Sequence, residues 1–352
     1  MPEPSVDLAA SPPPADVHDV ALLDLDGVVY VGPDAVPGAA EAIAAAAARG
    51  LRCVYVTNNA SRPPAKVGAH LRELGVPADD ADVVTSAQLA AGILAARLPA
   101  GAPVLVVGGA GLVEALAEQG LRAVRSMDDA PLAVVQGFGP DVGWRELAEG
   151  ARAVRAGLFW VASNLDLTVP TPHGPAPGNG ALVAAVAEAG GRRPDAVAGK
   201  PEPRAFADAA ARAGSARPIV VGDRLDTDLE GARAAGIPGL LVLTGITGVT
   251  ELLHCPPHAR PDLVGHDLQA LLTAHPEATV DAPGTGRCRA AVVTVRGGAL
   301  AVEAAGEDAL DLFRAACAAA WSLPASGAGP GPDPAPVVAA VRALDPGAAW
   351  AR

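Results

Sequence analysis

Short apolar runs that end abruptly in polar residues constrain this chain more than any other feature. Val20–Leu23 runs into Asp24-Leu25-Asp26-Gly27, and Leu51–Val56 into Thr57-Asn58-Asn59. Ala196–Gly199 ends at Lys200-Pro201, and Pro218–Gly222 at Asp223-x-x-Asp226-x-Asp228. An apolar run without polar alternation is what a parallel strand buried on both faces requires. Helical patterns separate these runs. Gly38–Arg49 is stopped by Gly50 and Pro63–Leu74 by Gly75; Glu202–Ala213 and Leu229–Ala235 follow later, before a last strand at Gly239–Leu243. Strands alternating with helices predict a doubly wound parallel sheet. The C-terminal ends of such strands converge on one crevice, where ligands bind. The four polar clusters are therefore expected to meet in space.

Between the second and third clusters the chain has an α/β rhythm of its own. Strands are expected at Pro103–Val107, Leu121–Val124, Leu132–Gln136 and Leu158–Ala162, and helices at Leu112–Gln119, Trp144–Ala156 and Ala181–Ala189. Thr168–Gly180 is too rich in Pro and Gly for a regular element. This block reads as a second α/β unit inserted into the first. After His275 the pattern changes to a hairpin at Ala290–Val295 and Ala299–Glu303, a helix at Glu307–Trp321, a Gly/Pro-rich stretch at Ala325–Pro336 and a last helix at Val337–Leu344.

Composition narrows the functional classes. Of 352 residues, 26 are Lys or Arg and 39 are Asp or Glu, a formal net charge of −13. That balance argues against a nucleic-acid binder, which needs basic patches to displace phosphate counterions. It leaves room for a small anionic substrate in a locally positive pocket. No apolar stretch is long enough to suggest a membrane span. The acidic, proline-rich N-terminus lacks the basic and apolar regions of a secretory signal and reads as a disordered lead-in. The four cysteines form no C-x-x-C pair, and Cys53 lies within a strand pattern, so a reducing cytoplasm is expected.

The clusters hold several carboxylates, one lysine, and hydroxyl and amide groups. Crowded carboxylates repel unless a cation holds them. A few hard oxygen ligands suit Mg²⁺, which commonly takes a substrate phosphate as well. A lysine beside them offsets the charge of such a phosphate. This set is suited to phosphoryl transfer with a carboxylate nucleophile. In Asp24-x-Asp26 the two side chains share a face of an extended strand. Asp24 is then placed to attack phosphorus while Asp26 hands a proton to the leaving oxygen.

The segments DLDGVVY, VTNNASRP, GKPEP and GDRLDTDLEGA, in this order, resemble the four motifs of the haloacid dehalogenase superfamily. The insert between the second and third is similar to the large α/β cap of its nitrophenyl-phosphatase-like branch. That branch includes pyridoxal-phosphate, phosphoglycolate, glycerol-phosphate and nucleotide phosphatases. The resemblance spans Val20 to Leu272. VVTSAQ, ASNLDLTVPT, PGNGALVAA and the appended tail also resemble bacterial glycerol-3-phosphate phosphatases of similar total length.

The resemblance implies an α/β fold: a Rossmann-like doubly wound parallel core (18–86 and 191–276), an inserted α/β cap (87–190), and a small C-terminal α+β module (277–352), after a lead-in at 1–17. It implies that Asp24 is the nucleophile and a Mg²⁺ ligand. Asp26 would be the general acid and base, lending its main-chain carbonyl to the metal. Thr57, Asn58 and Asn59 would bind phosphoryl oxygens, Lys200 would neutralise charge, Asp223 would be the remaining ligand, and Asp228 would orient metal-bound water. Asp226 is expected not to ligate. Asn164, Asp166, His173 and Asn179 are expected to face the leaving group. Pyridoxal phosphatases place a His shortly after the cap strand; Asp166–Val169 has none, and His173 lies four residues further on. A small polyol phosphate, glycerol 3-phosphate, is the expected substrate, with phosphoglycolate, sugar phosphates, nucleoside monophosphates and pyridoxal phosphate as alternatives. Homodimerisation through the cap is common in this branch.

Competing readings are weaker. A dehalogenase of this fold needs neither Asp26 nor the Asp223 cluster. A phosphotransferase shares the site and differs in the acceptor. Gly108-Gly109-Ala110-Gly111 resembles a phosphate-binding loop but lacks the Lys-Ser/Thr that follows in a P-loop, so a tight turn is expected. The histidines show no metal-ligand spacing. Thr279–Arg352 is short for an autonomous enzyme domain. It reads as a partner-binding piece or the remnant of another fold, such as an acetyltransferase.

Overall fold

The strand and helix patterns resolve into two compact units. The computed structural model describes residues 8–169, 174–323, 331–348 and 350. One unit comprises Val54–Gly214 and Gly32–Asp34; the other comprises the chain up to Val31, Ala35–Cys53 and Ser215 onward. This division differs from the boundaries expected at 86/87 and 190/191. The second motif and the helix Ser86–Ala95 bond to the inserted block: Gly111 N–H donates to Ser61 O, Asn164 Nδ2 to Asn58 O, and Gln88 Nε2 to Glu118 Oε2.

In the unit that carries Asp24, Val20–Leu23 pairs in parallel with Pro218–Gly222. Pro218–Gly222 pairs with Gly239–Val242, and that strand with Leu263–Gly265. The first two are adjacent although about two hundred residues separate them in sequence. Leu22, Leu23, Val220 and Leu241 are fully buried. Burial on both faces explains the unbroken apolar runs. In the other unit Tyr55, Val56 and Thr57, from the strand Arg52–Thr57, pair with Val83–Thr85. A five-stranded parallel sheet there runs in the order Ala196–Val197, Phe159–Ala162, Ala133–Gln136, Pro103–Val107, Arg122–Val124. Helices Ala110–Glu118, Trp144–Arg155 and Asn179–Gly190 belong to the same unit. The Gly108–Gly111 segment is a turn leading into the first of them, with Gly109 extended as its cap.

Two expectations require correction. Within the stretch read as a disordered lead-in, residues 8–17 are ordered: Leu8 bridges Ala278, Ser11 bridges His275, and Pro14–Val17 forms a helical turn. Its polar composition conceals Leu8, Pro14 and Ala15, which are buried. Thr168–Gly180 is not wholly irregular, because Thr168–Val169 pairs antiparallel with Ala176–Pro177. Residues 170–173, His173 among them, and 324–330 of the Gly/Pro-rich stretch lie outside the described residues.

The tail forms the expected small α+β module, and it belongs to the same compact unit as Asp24. The expected hairpin exists as Ala291–Arg296 and Ala299–Ala304, turning on Gly297 and Gly298, both at positive φ. Two further strands, Ala278–Ala282 and Thr285–Cys288, extend it to a four-stranded antiparallel sheet. Every residue of the helix Ala309–Trp321 except Ala320 is buried. Apolar apart from Asp311 and Arg314, which pair at 2.8 Å, the helix needs cover on all sides. It packs on the antiparallel sheet and, through one continuous core, on Leu252, Leu253 and Val264 of the parallel-sheet region. At Gly286 a Cβ would overlap the main chain of this helix at Ala315 and Ala319, so the sheet and helix touch backbone to backbone. Arg314 Nη2 donates to Val264 O at 2.7 Å and Trp321 Nε1 to Leu252 O at 3.1 Å. All four cysteines are buried thiols, and burial raises Cys255 and Cys288 to about 12.

His275 sits at this junction. Its Nε2–H donates to Ala270 O at 2.9 Å, and Arg314 Nη2 approaches Nδ1 at 3.5 Å. Burial lowers its pKa below the usual 6.5, and the nearby Arg314 adds to the effect. The unfolded chain therefore binds the proton more readily, so this histidine's contribution to stability is full above pH 6.5 and declines as pH falls below it. The stability lost in His275→Asn, measured by urea unfolding, is expected to shrink between pH 7 and pH 5. A difference constant over that range would refute the buried neutral imidazole.

Candidate active site

The first cluster is built on neighbouring strand ends. Asp24 follows Val20–Leu23, and its N–H donates to Val221 O at 2.9 Å, continuing the parallel ladder. Asp223 follows Pro218–Gly222. Asp228 lies in the wide π-helical turn Leu225–Leu229, a local geometry common at functional sites. One carboxylate oxygen from each of Asp24, Asp223 and Asp228 lies within 4.8 Å of the others, and all three residues are buried. Like charges this close in a poorly solvated place favour a bound cation, and an all-oxygen donor set favours a hard one.

Glycines make this crowding feasible. A Cβ on Gly222 would overlap the Asp228 side chain, and one on Gly245 would overlap the Asp223 carboxylate. Gly27, at φ +86°, would place a Cβ 2.6 Å from Asp223 Oδ2. The loop after Gly239–Val242 grips the same residue. Ile246 N–H donates to Asp223 Oδ2 at 2.7 Å, and Thr247 N–H to Asp223 O at 3.2 Å. Thr244 Oγ1 donates to Gly27 O at 2.5 Å. Sequence reasoning missed this loop. Its signal was the Thr-Gly-Ile-Thr-Gly run directly after a buried strand.

The carboxylates expected of Asp24 and Asp223 come together here, with one addition. Asp228, assigned to orienting water, supplies an oxygen to the cluster itself, while Arg224 N–H donates to its Oδ2 at 3.2 Å. The Asp26 side chain is exposed and does not belong to the cluster. Asp226 pairs with Arg224 on the surface at 2.8 Å.

The second cluster belongs to the other unit, around Asn58. The Asn58 carboxamide accepts from Lys200 N–H at 2.9 Å and donates to Lys200 O at 3.1 Å. It also donates to the Asp166 carboxylate at 3.1 Å. Asn58 O accepts from Asn164 Nδ2 at 2.7 Å and from Ser86 Oγ at 2.6 Å. Asn179 Nδ2 donates to Asn164 O at 2.7 Å. Lys200 is 3% exposed. Thr57 is buried, and its Oγ1 accepts from Asn59 N–H at 3.1 Å. Asn59 Oδ1 accepts from Ser61 N–H at 2.8 Å, capping the turn.

Three residues expected to contact substrate make protein contacts here. The Asn59 side chain bonds within its own turn. Asn164 and Asn179 are buried, and their amide groups donate to main-chain carbonyls. A buried amide finds a partner wherever geometry allows, which sequence spacing does not reveal. Asp166 is half-buried and reaches Asn58.

Comparison with known proteins gives the family of the chain. Residues 21–122 match the haloacid dehalogenase-like hydrolase family, and residues 197–271 a related hydrolase-like family. Residues 277–350 match a GCN5-related N-acetyltransferase-like domain. The chain is 45% identical over 324 residues to a protein named D-glycerol 3-phosphate phosphatase from Mycobacterium tuberculosis, covering 89% of this chain and 88% of that one. It is 35% identical to an acid sugar phosphatase of Staphylococcus aureus, over 66% of this chain and 88% of the relative. A crystal structure of a Mycobacterium tuberculosis glycerol phosphate phosphatase in complex with magnesium superposes with a TM-score of 0.81 at 44% identity, covering 91% and 94% of the two chains. A 4-nitrophenylphosphatase from Thermotoga maritima superposes with a TM-score of 0.68 at 30% identity, covering 73% and 97%. The chain belongs to the haloacid dehalogenase-like hydrolase family, as one of its phosphatases.

Proposed function

We propose that this enzyme hydrolyses glycerol 3-phosphate to glycerol and phosphate, using Mg²⁺ and an aspartyl-phosphate intermediate. The observation that carries the substrate is the 45% identity to a D-glycerol 3-phosphate phosphatase, which extends over 89% of the chain. A sugar phosphate is the second reading, favoured by the 35% identity to an acid sugar phosphatase. The cytoplasm is proposed as the compartment on the four buried thiols. Homodimerisation through the inserted segment, where Trp144 is 81% exposed, belongs to the same reading.

The buried oxygens of Asp24, Asp223 and Asp228 fit Mg²⁺, and the family pattern adds the Asp26 main-chain carbonyl. When bound, the ion offsets the negative charge of these carboxylates and of the phosphoryl group. An Asp24 oxygen attacks phosphorus. The bond from phosphorus to Asp24 forms while the bond to the leaving alkoxide breaks, and Asp26 gives the alkoxide its proton. Asp26, now a carboxylate, takes a proton from water as the water oxygen attacks phosphorus. The bond to Asp24 breaks, phosphate leaves, and the nucleophile is restored. Lys200 neutralises charge at the phosphoryl group, and the Thr57 hydroxyl meets one of its oxygens.

Phosphate release measured across glycerol 3-phosphate, phosphoglycolate, sugar phosphates, nucleoside monophosphates and pyridoxal phosphate is expected to give the highest kcat/KM with the first. A better sugar phosphate would replace the substrate assignment. Asp24→Asn is expected to abolish turnover in a folded protein, and retained turnover would remove it as nucleophile. Asp26→Asn should slow glycerol 3-phosphate about 10²–10⁴-fold and nitrophenyl phosphate far less, because only the alkoxide needs the proton. Equal losses would count against the acid role. EDTA should silence the enzyme reversibly. Gly245→Ala should weaken Mg²⁺ binding, read by calorimetry, by about tenfold or more through displacement of Asp223. Unchanged affinity would show that the Asp223 carboxylate is not a ligand.

A further inference from the structure

The Asn58 carboxamide forms both its polar contacts with Lys200 through the main chain. It accepts from the Lys200 N–H at 2.9 Å and donates to the Lys200 carbonyl at 3.1 Å, a two-point clamp on one residue 142 positions away. Its second N–H is directed to the Asp166 carboxylate, 3.1 Å and 3.3 Å from the two oxygens. The clamp is close-packed: a Cβ on Gly199, the residue before Lys200, would overlap Asn58 Oδ1. From behind, the Asn58 carbonyl is held by Asn164 Nδ2 and Ser86 Oγ. Asn164 is 3% exposed and in turn accepts on its own carbonyl from Asn179, which is 1% exposed. With these partners, the Asn58 side chain has little capacity left for a phosphoryl oxygen.

We propose that the Asn58 side chain is a positioning group that acts on the reaction through Lys200, braced by Asn164 and Asn179, and is not itself a phosphate ligand. This deepens the assignment of Lys200 to the phosphoryl group and rests on it. A lysine side chain has four rotatable bonds, and its ammonium is useful in a transition state only where its main chain is fixed. Fixing both polar groups of that residue supplies the first part of this order. Asparagine suits the task, since Asp lacks the N–H donors and would face Asp166 with like charge, and Gln is one methylene too long for the packed space beside Gly199.

Steady-state kinetics on Asn58→Ala, Lys200→Ala and the double variant tests the proposal. Asn58→Ala should lower kcat about 10–100-fold with KM within about twofold, as displacement of a catalytic group predicts. In the Lys200→Ala background the same change should cost less than about twofold, because a residue acting through another loses its effect when the other is gone. Mg²⁺ affinity should be unchanged. Losses that multiply in the double variant, or a rise in KM alone, would overturn the proposal and return Asn58 to direct phosphate binding. Full activity in Lys200→Ala would instead overturn the Lys200 assignment and the inference with it. If Asn58→Ala does not fold, Asn164→Ala removes the brace on Asn58 O, together with the bond that Asn164 Oδ1 accepts from the Asp166 N–H. It should show a smaller loss, about 3–10-fold, and the same disappearance in the Lys200→Ala background.

Discussion

Electrostatic repulsion among three buried carboxylates is the constraint on which this structure turns. Asp24, Asp223 and Asp228 bring oxygens within 4.8 Å of one another where little water reaches them. Such an arrangement is costly without a cation and serves catalysis with one. The fold meets the cost with a rigid frame. Two adjacent parallel strands fix Asp24 and Asp223 at their ends, and a π-helical turn returns Asp228 beside them. Glycines at 27, 222 and 245 leave no side chains where the carboxylates must lie. The glycines of the motif are thus as much part of the site as its acids.

The second cluster solves a different problem. Lys200 has no strand of its own long enough to hold it, since Ala196–Val197 is only two residues. Its main chain is fixed by the Asn58 carboxamide, and Asn58 O by the buried Asn164 amide and the Ser86 hydroxyl. Buried amides are costly unless satisfied, so this chain of bonds is also a source of local order. Side chains that resemble substrate contacts on the sequence are used here to hold other side chains and turns.

The C-terminal segment matches an acetyltransferase-like domain, yet its packing is that of a structural partner. Its central helix is buried on nearly all sides and shares one core with the parallel-sheet region. Arg314 and Trp321 anchor the helix to main-chain carbonyls of Val264 and Leu252. Through Val264 and Leu252 it supports the outer strand and helix of the parallel-sheet region. The N-terminal stretch takes part as well, with Leu8 bridging Ala278.

Apolar runs, glycine stops and the spacing of Asp24, Asp26, Thr57, Lys200 and Asp223 determined the fold class and the reaction class. These signals are local: a buried strand must be apolar, and the turn after it must bend and present polar atoms. Strand ends were legible to within a residue or two, as with Leu51–Val56 against the observed Arg52–Thr57. What only the tertiary structure decided is which polar atom meets which. Asp228 entered the carboxylate cluster, Gly245 and Ile246 closed on Asp223, and the amides of Asn164 and Asn179 met main-chain carbonyls of Asn58 and Asn164. The antiparallel strands Ala278–Ala282 and Thr285–Cys288, half-polar and short, were hidden for the same reason. A residue's type and its neighbours in sequence set how strongly it seeks burial or a partner, but partners such as Asn58 and Lys200 stand 142 positions apart. Only the folded packing brings them to hydrogen-bond distance.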